Sequence, residues 1–218
     1  MDFSKSYHIL KDIADISPGY SRQVLRNKQS NSQKETKKLQ IVSFQEVKNY
    51  AKGLNIHDAC EIINFQQDYT KDIKYMHKGD IIIPLKSGLG TTEIIYIFEE
   101  PTEKYVYDST NLLIKITDKD VDSLYVYIML SQSIPIQNGL AKAKVHASLD
   151  KHGKFQPTVV PRLSKSILSN ILIRQLPKKE MRNIVDEYIR ITKEKKEFVD
   201  KISSIQEDKD TRANIWWL

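Results

Sequence analysis

Cations, histidines and amides are the side chains in this sequence whose types and spacing suit recognition chemistry. Lys and Arg bind phosphates, while Arg, Gln and Asn can pair bidentately with base edges. Arg22 and Gln23 follow a Pro-Gly turn, Lys86 opens a loop rich in Ser, Gly and Thr, and the other candidates lie in a polar stretch, 132–156, that we predict to be a loop. The candidate nucleic-acid-binding residues are Arg22, Gln23, Lys86, Lys142, Lys144, His146, Lys154 and Gln156. Solvated surface loops without a ligand are the alternative explanation of the same residues.

Catalytic constellations are not apparent in the sequence. Gly88-Leu89-Gly90 lacks the third glycine of a nucleotide-binding loop because position 93 is Glu, so it is interpreted as a turn. The five histidines contain no pair at the i,i+4 spacing of a zinc site, and Cys60, the single cysteine, is flanked by acids. No metal-dependent nuclease set of carboxylates can be assembled. We therefore predict no catalytic residue, no metal ligand and no cofactor.

Composition indicates a folded protein of modest basicity. The 218 residues carry a formal net charge of +6, and 40% of them are hydrophobic. This balance is compatible with nucleic acid or an anionic surface as a partner, but many ordinary proteins share it. The first residues lack the apolar core of a signal peptide, and no run approaches the roughly 20 apolar residues that span a bilayer. The expected location is the cytoplasm.

Strand and helix patterns alternate irregularly, which predicts an α+β fold for residues 1–176. The sharpest strand is 81–85, a β-branched run after the turn Lys78-Gly79-Asp80. Ser43 and Glu46 form the pattern of a capping box at a helix start. The other predictions are a helix or helix–strand in 6–16, a basic loop in 22–38, strands at 39–44, 93–98, 105–107, 112–116 and 170–177, and helices at 57–65, 122–131 and after Lys165.

A long helix with a coiled-coil seam is predicted for 177–207, followed by a tail, 208–218. Apolar residues recur there at alternating spacings of three and four, the heptad pattern of helices that pair. The seam positions, which we expect to form a dimer or partner interface, are Met181, Ile184, Tyr188, Ile191, Lys195, Phe198, Ile202 and Ile205. Lys195 is the polar exception. Trp216 and Trp217 in the tail suit either docking to a partner or packing on the chain itself.

Several segments, taken in order, resemble the specificity subunit of type I restriction–modification systems. Each segment is a weak signal, and their order over nearly the whole chain makes the resemblance specific. The segments are Ile9–Tyr20, Lys78–Ile83, Asn111–Ile116, Leu124–Leu130 and Leu163–Pro177. One departure follows Pro177, where the family's Pro-x-x-x-Gln is replaced by Lys178-Lys179-Glu180-Met181. A larger departure is length, because a full subunit of this family has two target-recognition domains and two long helices.

The resemblance implies a non-catalytic DNA reader that directs a methyltransferase subunit, with or without a restriction subunit, to a bipartite target. A half-length chain would rebuild the two-fold reader by homodimerising through its helix, and a palindrome with a gap would be its target. Two alternatives from other classes stay open. One is a metal-dependent nuclease, and the other is an adaptor protein that uses its helix to join other proteins and does not bind DNA.

Overall fold

The computed structural model describes residues 7–23, 36–52, 61–66, 73–86, 91–101, 104–147, 149, 152–154 and 162–215. The chain divides into two compact units, 1–176 and 177–218. The strands described are β1 (Tyr7–Ile9), β2 (Ala14–Pro18), β3 (Thr36–Val42), β4 (Glu61–Gln66), β5 (Ile81–Pro84), β6 (Ile95–Tyr96), β7 (Tyr105–Tyr107), β8 (Asn111–Ile116) and β9 (Leu172–Arg174). The helices described are α1 (Leu10–Ile13), α2 (Phe44–Ala51), α3 (Ser123–Gln132), α4 (Ile134–His146), α5 (Lys165–Ser169) and α6 (Lys178–Ile215). This mixture without βαβ alternation confirms the α+β class.

Three sheets organise the first unit. The largest has the strand order β2-β8-β5-β6, and all of its pairs are antiparallel. A second sheet has the order β4-β3-β7, in which β3 pairs antiparallel with β4 and parallel with β7. The outer strands β1 and β9 pair with each other. Nearly every side chain of β5 and β8 is buried, as expected of strands in the middle of a packed sheet.

The turn before β5 is fixed by one glycine and one aspartate. Gly79 has φ +89°, a left-handed conformation that side-chain-bearing residues rarely adopt. Asp80 is buried, and its Oδ2 accepts hydrogen bonds from the His77 backbone N–H at 2.9 Å and from the Tyr107 hydroxyl at 3.0 Å. Desolvation raises the pKa of the Asp80 carboxyl. The Lys-Gly-Asp segment therefore ties β5 to β7, and the strand predicted after it is confirmed.

A second glycine permits close packing at the end of β2. A Cβ on Gly19 would lie 1.9 Å from the carbonyl oxygen of Asp108, so no larger residue fits. The Gly19 N–H donates to the carbonyl of Asn111 at 2.9 Å, and the Tyr20 N–H donates to that of Tyr107 at 2.8 Å. The Pro-Gly turn thereby holds residues 19 and 20 against the hairpin between β7 and β8.

Helix starts follow the local sequence signals. Ser43 and Glu46 form both halves of the predicted capping box at the start of α2. The Asp122 side chain accepts from the Leu124 N–H at 2.7 Å at the start of α3, which confirms the helix predicted at 122–131.

Two predictions about the first unit are wrong, and the basic loop predicted at 22–38 is contradicted at its end, where β3 begins at Thr36. The short helix at 57–65 is contradicted by β4, where β-branched Ile62 and Ile63 pair with β3, an element that a local helix pattern cannot reveal. The loop predicted at 132–156 is contradicted by α4, which spans 134–146. Proline in its first turn and a following run of Leu, Ala and Lys favour that helix.

The second unit contains α6, a single helix of 38 residues. It begins at Lys178, where predicted, and ends at Ile215, so it continues through most of the expected tail. At about 1.5 Å per residue, 38 residues extend over roughly 57 Å. Among the residues described here, no helix combines the length and the apolar character that crossing a membrane requires.

Candidate nucleic-acid interface

Lys86 and Arg162 face each other across an isolated antiparallel β-bridge. Both side chains are exposed. Directly opposed residues of an antiparallel pair place their side chains on one face, with Cβ atoms about 5 Å apart. The structure therefore brings Lys86, a predicted binding residue, together with a second cation that lies 76 positions further along the sequence. We call Lys86 and Arg162 the bridge pair.

The backbone that carries the bridge pair is anchored on both sides. The Leu163 N–H donates to the Leu85 carbonyl at 3.0 Å, and the Leu85 N–H donates to the Thr110 carbonyl at 2.8 Å. Leu163 is buried and Leu85 is half-buried. Because successive residues of extended chain point to opposite faces, these leucines face inward while the two cations face outward.

Helix α4 presents a second row of polar groups. Asn138, Lys142 and His146 recur every four residues on one face of the helix, and all three are exposed. Gln137 and Leu140 are buried on the other side. Amide, ammonium and imidazole groups along one helix face suit contact with phosphates and base edges. We call these three residues the α4 row.

Gln137 connects α4 to the segment that follows Lys86. Its Oε1 accepts from the Thr92 N–H at 2.8 Å, and its Nε2 donates to the carbonyls of Leu130 at 2.7 Å and of Thr92 at 3.3 Å. Thr92 lies six residues after Lys86, so their Cα atoms are at most about 21 Å apart. Lys86 and Asn138, the first residue of the α4 row, therefore lie within about one turn of duplex DNA, 34–36 Å, of each other.

Lys144 is the clear correction among the predicted binding residues. It is 0% exposed in α4, which excludes direct contact of its ammonium group with DNA in this conformation. Burial lowers the pKa of Lys144, because an ammonium loses hydration when it is removed from water. Positions 142, 144 and 146 are all polar in the sequence. Only the helical period shows that 142 and 146 are exposed while 144 is buried.

Arg22 is engaged with carboxylates rather than pointing freely into solvent. Its Nε donates to Asp108 Oδ2 at 3.1 Å, and Nη2 lies 3.7 Å from Glu46 Oε2. Asp108 also accepts from the Thr110 N–H at 2.9 Å. Arg22 thus joins α2 to the hairpin between β7 and β8, and its role as a DNA contact stays a prediction. Gln23, the next residue, is exposed.

Two predicted DNA contacts, Lys154 and Gln156, remain. Lys154 is exposed and follows Gly153, whose φ is +75°. Gln156 lies outside the described residues.

The seam of α6 is largely exposed beyond its first turns. Ile191, Phe198 and Ile202 are 50%, 65% and 51% exposed. Ile184 and Tyr188 are half-buried, Lys195 is exposed, and Met181 is buried at 7% exposure, which leaves it little surface for a partner. The side chain of Ile205, together with Trp216 and Trp217, lies outside the described part.

The charged side of α6 is organised by one arginine. Arg190 Nη2 lies 2.6 Å from Glu187 Oε1, and Nη1 lies 2.6 Å from Glu194 Oε1. The hydrogen bond from Arg190 lowers the pKa of the Glu187 carboxyl. Ion pairs at this spacing stabilise a helix only slightly when they are exposed to water. They therefore favour helix in the segment that carries the exposed seam.

Carboxylates, histidines and cysteines do not assemble into a metal site in the part of the chain described here. Three residues of the candidate interface were missed from sequence, namely Asn138, Gln137 and Arg162. Asn138 was detectable in principle, because it precedes Lys142 by four. The other two depend on pairings across 45 and 76 positions, which no local pattern reports.

Comparisons with known proteins give structural similarities only. No family model matches the sequence, and no curated protein matches it. The HsdS subunit from Thermoanaerobacter tengcongensis is 13% identical, with 86% of this chain and 37% of that chain covered, at a TM-score of 0.48. The type I restriction-modification system S subunit from M. genitalium is 13% identical, with 96% and 45% covered, at a TM-score of 0.48. A chain from a study of complex assembly and conformational transition in the type I R-M system is 12% identical, with 86% and 38% covered, at a TM-score of 0.49.

The chain thus spans less than half the length of these solved structures. At 12–13% identity the similarity concerns the fold alone.

Proposed function

We propose that this chain is a non-catalytic, sequence-specific DNA-recognition subunit of a type I restriction–modification system. Its first unit recognises one half of a bipartite DNA target. Helix α6 pairs with α6 of a second copy and also binds a methyltransferase subunit. The observation that carries the proposal is the exposed seam of α6. A row of large apolar side chains that are exposed to water in the single chain marks a surface that binds a partner.

The first unit supplies surfaces suited to the DNA half of the proposal. The bridge pair and the α4 row place exposed cations and amides on anchored backbone. Contacts from cations fix a protein on the duplex, and the amide of Asn138 can pair with a base edge. The ordered motifs also correspond to structural features, since Lys78-Gly79-Asp80 forms the turn that ties β5 to β7.

The homodimer is best built as an antiparallel pair of α6 helices centred on residue 193. In this register Ile184 packs against Ile202 of the second copy, Tyr188 against Phe198, and Ile191 against Lys195. Shifting by one heptad in one direction leaves Ile202 opposite Pro177, and the opposite shift places Ile184 opposite a lysine, Lys209. The centred register therefore pairs the most apolar surface.

Charges favour the same register. Glu187 lies beside Lys201 of the second copy, whereas one alternative register places it beside Glu194. Lys195, which would be costly in an apolar seam, comes within about three residues, or roughly 4.5 Å along the axis, of Glu194 of the second copy. Arg190 already neutralises part of the charge on Glu194 through its 2.6 Å contact. A polar seam residue of this kind fixes register at a cost in stability.

Crosslinking tests the proposed pairing directly. In a Cys60→Ser background, Thr192→Cys places a thiol beside the seam. The two thiols of a dimer lie close together only if the helices pair antiparallel. A short bifunctional maleimide should join two such chains, whereas Lys193→Cys, on the outer face, should stay uncrosslinked. A purified chain that remains monomeric at micromolar concentration, alone and with its methyltransferase subunit, would remove the homodimer.

DNA binding separates this function from the two alternatives. The wild-type chain should bind labelled duplex at low salt, with affinity falling steeply as salt rises. If the chain binds no duplex, the result favours the alternative of an adaptor protein. Duplex cleavage that requires a divalent metal favours the nuclease.

A further inference from the structure

We propose that Lys86 and Arg162 form a clamp for a single phosphate group of the DNA backbone. The clamp rests on the proposed DNA-binding function and assigns to it a specific contact. Two segments 76 positions apart meet at one backbone bridge, and each contributes a cation to the same face. An ammonium and a guanidinium about 5 Å apart at their Cβ atoms can converge on one tetrahedral anion.

The electrostatics of the bridge indicate an anionic ligand. Like charges placed directly opposite each other on a strand pair are destabilising. Within the described residues, Lys86 and Arg162 form no ion pair with a carboxylate, in contrast to Lys48, which pairs with Glu93 at 2.8 Å, and Lys74, which pairs with Asp15 at 2.5 Å. Two cations that are held together with no acidic partner among the described residues are stabilised when a phosphate oxygen lies between them.

The backbone holds this arrangement in place before a ligand arrives. Bonds of 3.0 Å and 2.8 Å fix Leu85 between Leu163 and Thr110, and the buried side chain of Leu163 determines which face Arg162 occupies. The cations themselves are exposed, so a phosphate of a duplex can approach without rearrangement of the fold. A preorganised site of this kind loses little conformational entropy on binding.

A double-mutant cycle on the full-length chain tests the clamp. Lys86→Gln, Arg162→Gln and the double variant are compared with wild type for binding to a fluorescently labelled duplex of mixed sequence over a range of salt concentrations. Lys119→Gln removes one exposed charge elsewhere in the first unit and serves as the matched control. The charge-retaining variant Lys86→Arg reports whether positive charge alone is sufficient.

If both cations hold one phosphate, the double variant loses about 0.9 from the slope of log affinity against log salt. Its affinity loss should be smaller than the product of the two single losses. Thermal unfolding of both single variants should match or exceed that of wild type, because each removes like-charge repulsion. Lys119→Gln and Lys86→Arg should keep the wild-type slope.

Two results would overturn the clamp and leave the proposed function in place. A slope loss of about 1.8 with multiplying affinity losses indicates two independent phosphate contacts. If the variants bind the duplex as tightly as wild type, the pair lies away from the DNA. The proposed function then stands. A wild-type chain that binds no duplex instead removes the proposed function and the clamp together.

Discussion

Phe198 provides the sharpest test of the α6 seam. It is 65% exposed in the single chain. An aromatic side chain of about 200 Å² therefore offers roughly 130 Å² for burial in each copy. At about 25 cal/mol per Å² this corresponds to roughly 3 kcal/mol per copy, or about 6 kcal/mol in a symmetric dimer. Because part of this surface stays in water in the dimer and alanine keeps one methyl group, we expect Phe198→Ala to lose about half of that energy, roughly 3 kcal/mol.

A loss of this size raises the dimer dissociation constant by about 100-fold, since each 1.4 kcal/mol is tenfold. Sedimentation equilibrium across a range of chain concentrations measures the constant. Ile189→Ala is the matched control, because Ile189 is 47% exposed on the same helix but lies off the heptad seam. Both substitutions introduce the strongest helix former, so neither weakens the helix itself.

The seam assignment fails if Phe198→Ala raises the dissociation constant by less than about threefold, far below the expected change of about 100-fold. It also fails if Ile189→Ala weakens the dimer as much. In the second case the apolar surface of α6 would associate without the specific layers of the heptad pattern.

Other predictions concern the first unit. Because burial lowers the pKa of Lys144 in the folded chain, the unfolded chain holds that proton more tightly, and wild-type stability should rise with pH in the window below 10.5. Denaturant unfolding of Lys144→Met should lose this rise, whereas Lys142→Met, on the exposed side of α4, should keep it. Gly19→Ala should lower the free energy of unfolding by about 3 kcal/mol, because its Cβ would clash with backbone. Gly139→Ala, where a Cβ meets nothing within 4 Å, should raise it by about 0.5–1 kcal/mol through helix propensity; equal effects of the two alanines would contradict this reasoning.

Local signals predicted much of the fold. The strand after Lys78-Gly79-Asp80, the capping box at Ser43 and the start of α6 were all readable, because each depends on residues close in sequence. The helix predicted at 57–65 was wrong where β4 lies, since Ile62 and Ile63 are placed by pairing with β3 rather than by a local pattern. Parallel pairing of β3 with β7 likewise joins segments about 65 residues apart, which no local periodicity reports.

The candidate interface was less predictable than the fold. Residue type identified Lys86, Lys142 and His146 as able to bind phosphates, but type alone also selected Lys144, which is buried. Exposure depends on the helical phase of α4, and α4 was mistaken for a loop because its sequence is polar. Arg162 became a candidate only through the bridge to Lys86, which the folded chain alone brings about.

If α6 pairs as proposed, its register sets the distance between the two halves of the proposed target. In the centred pair, residue 177 of one copy aligns with residue 209 of the other, so the two attachment points lie about 48 Å apart, or roughly 14 base pairs at 3.4 Å each. Duplicating residues 188–194 adds one heptad, keeps the seam in phase and should lengthen the gap by about 10 Å, or three base pairs. Mapping methylated sites in cells that carry the methyltransferase measures the gap. A three-residue duplication breaks the phase and should abolish dimer formation; a gap unchanged by the added heptad would show that α6 does not separate the half-sites.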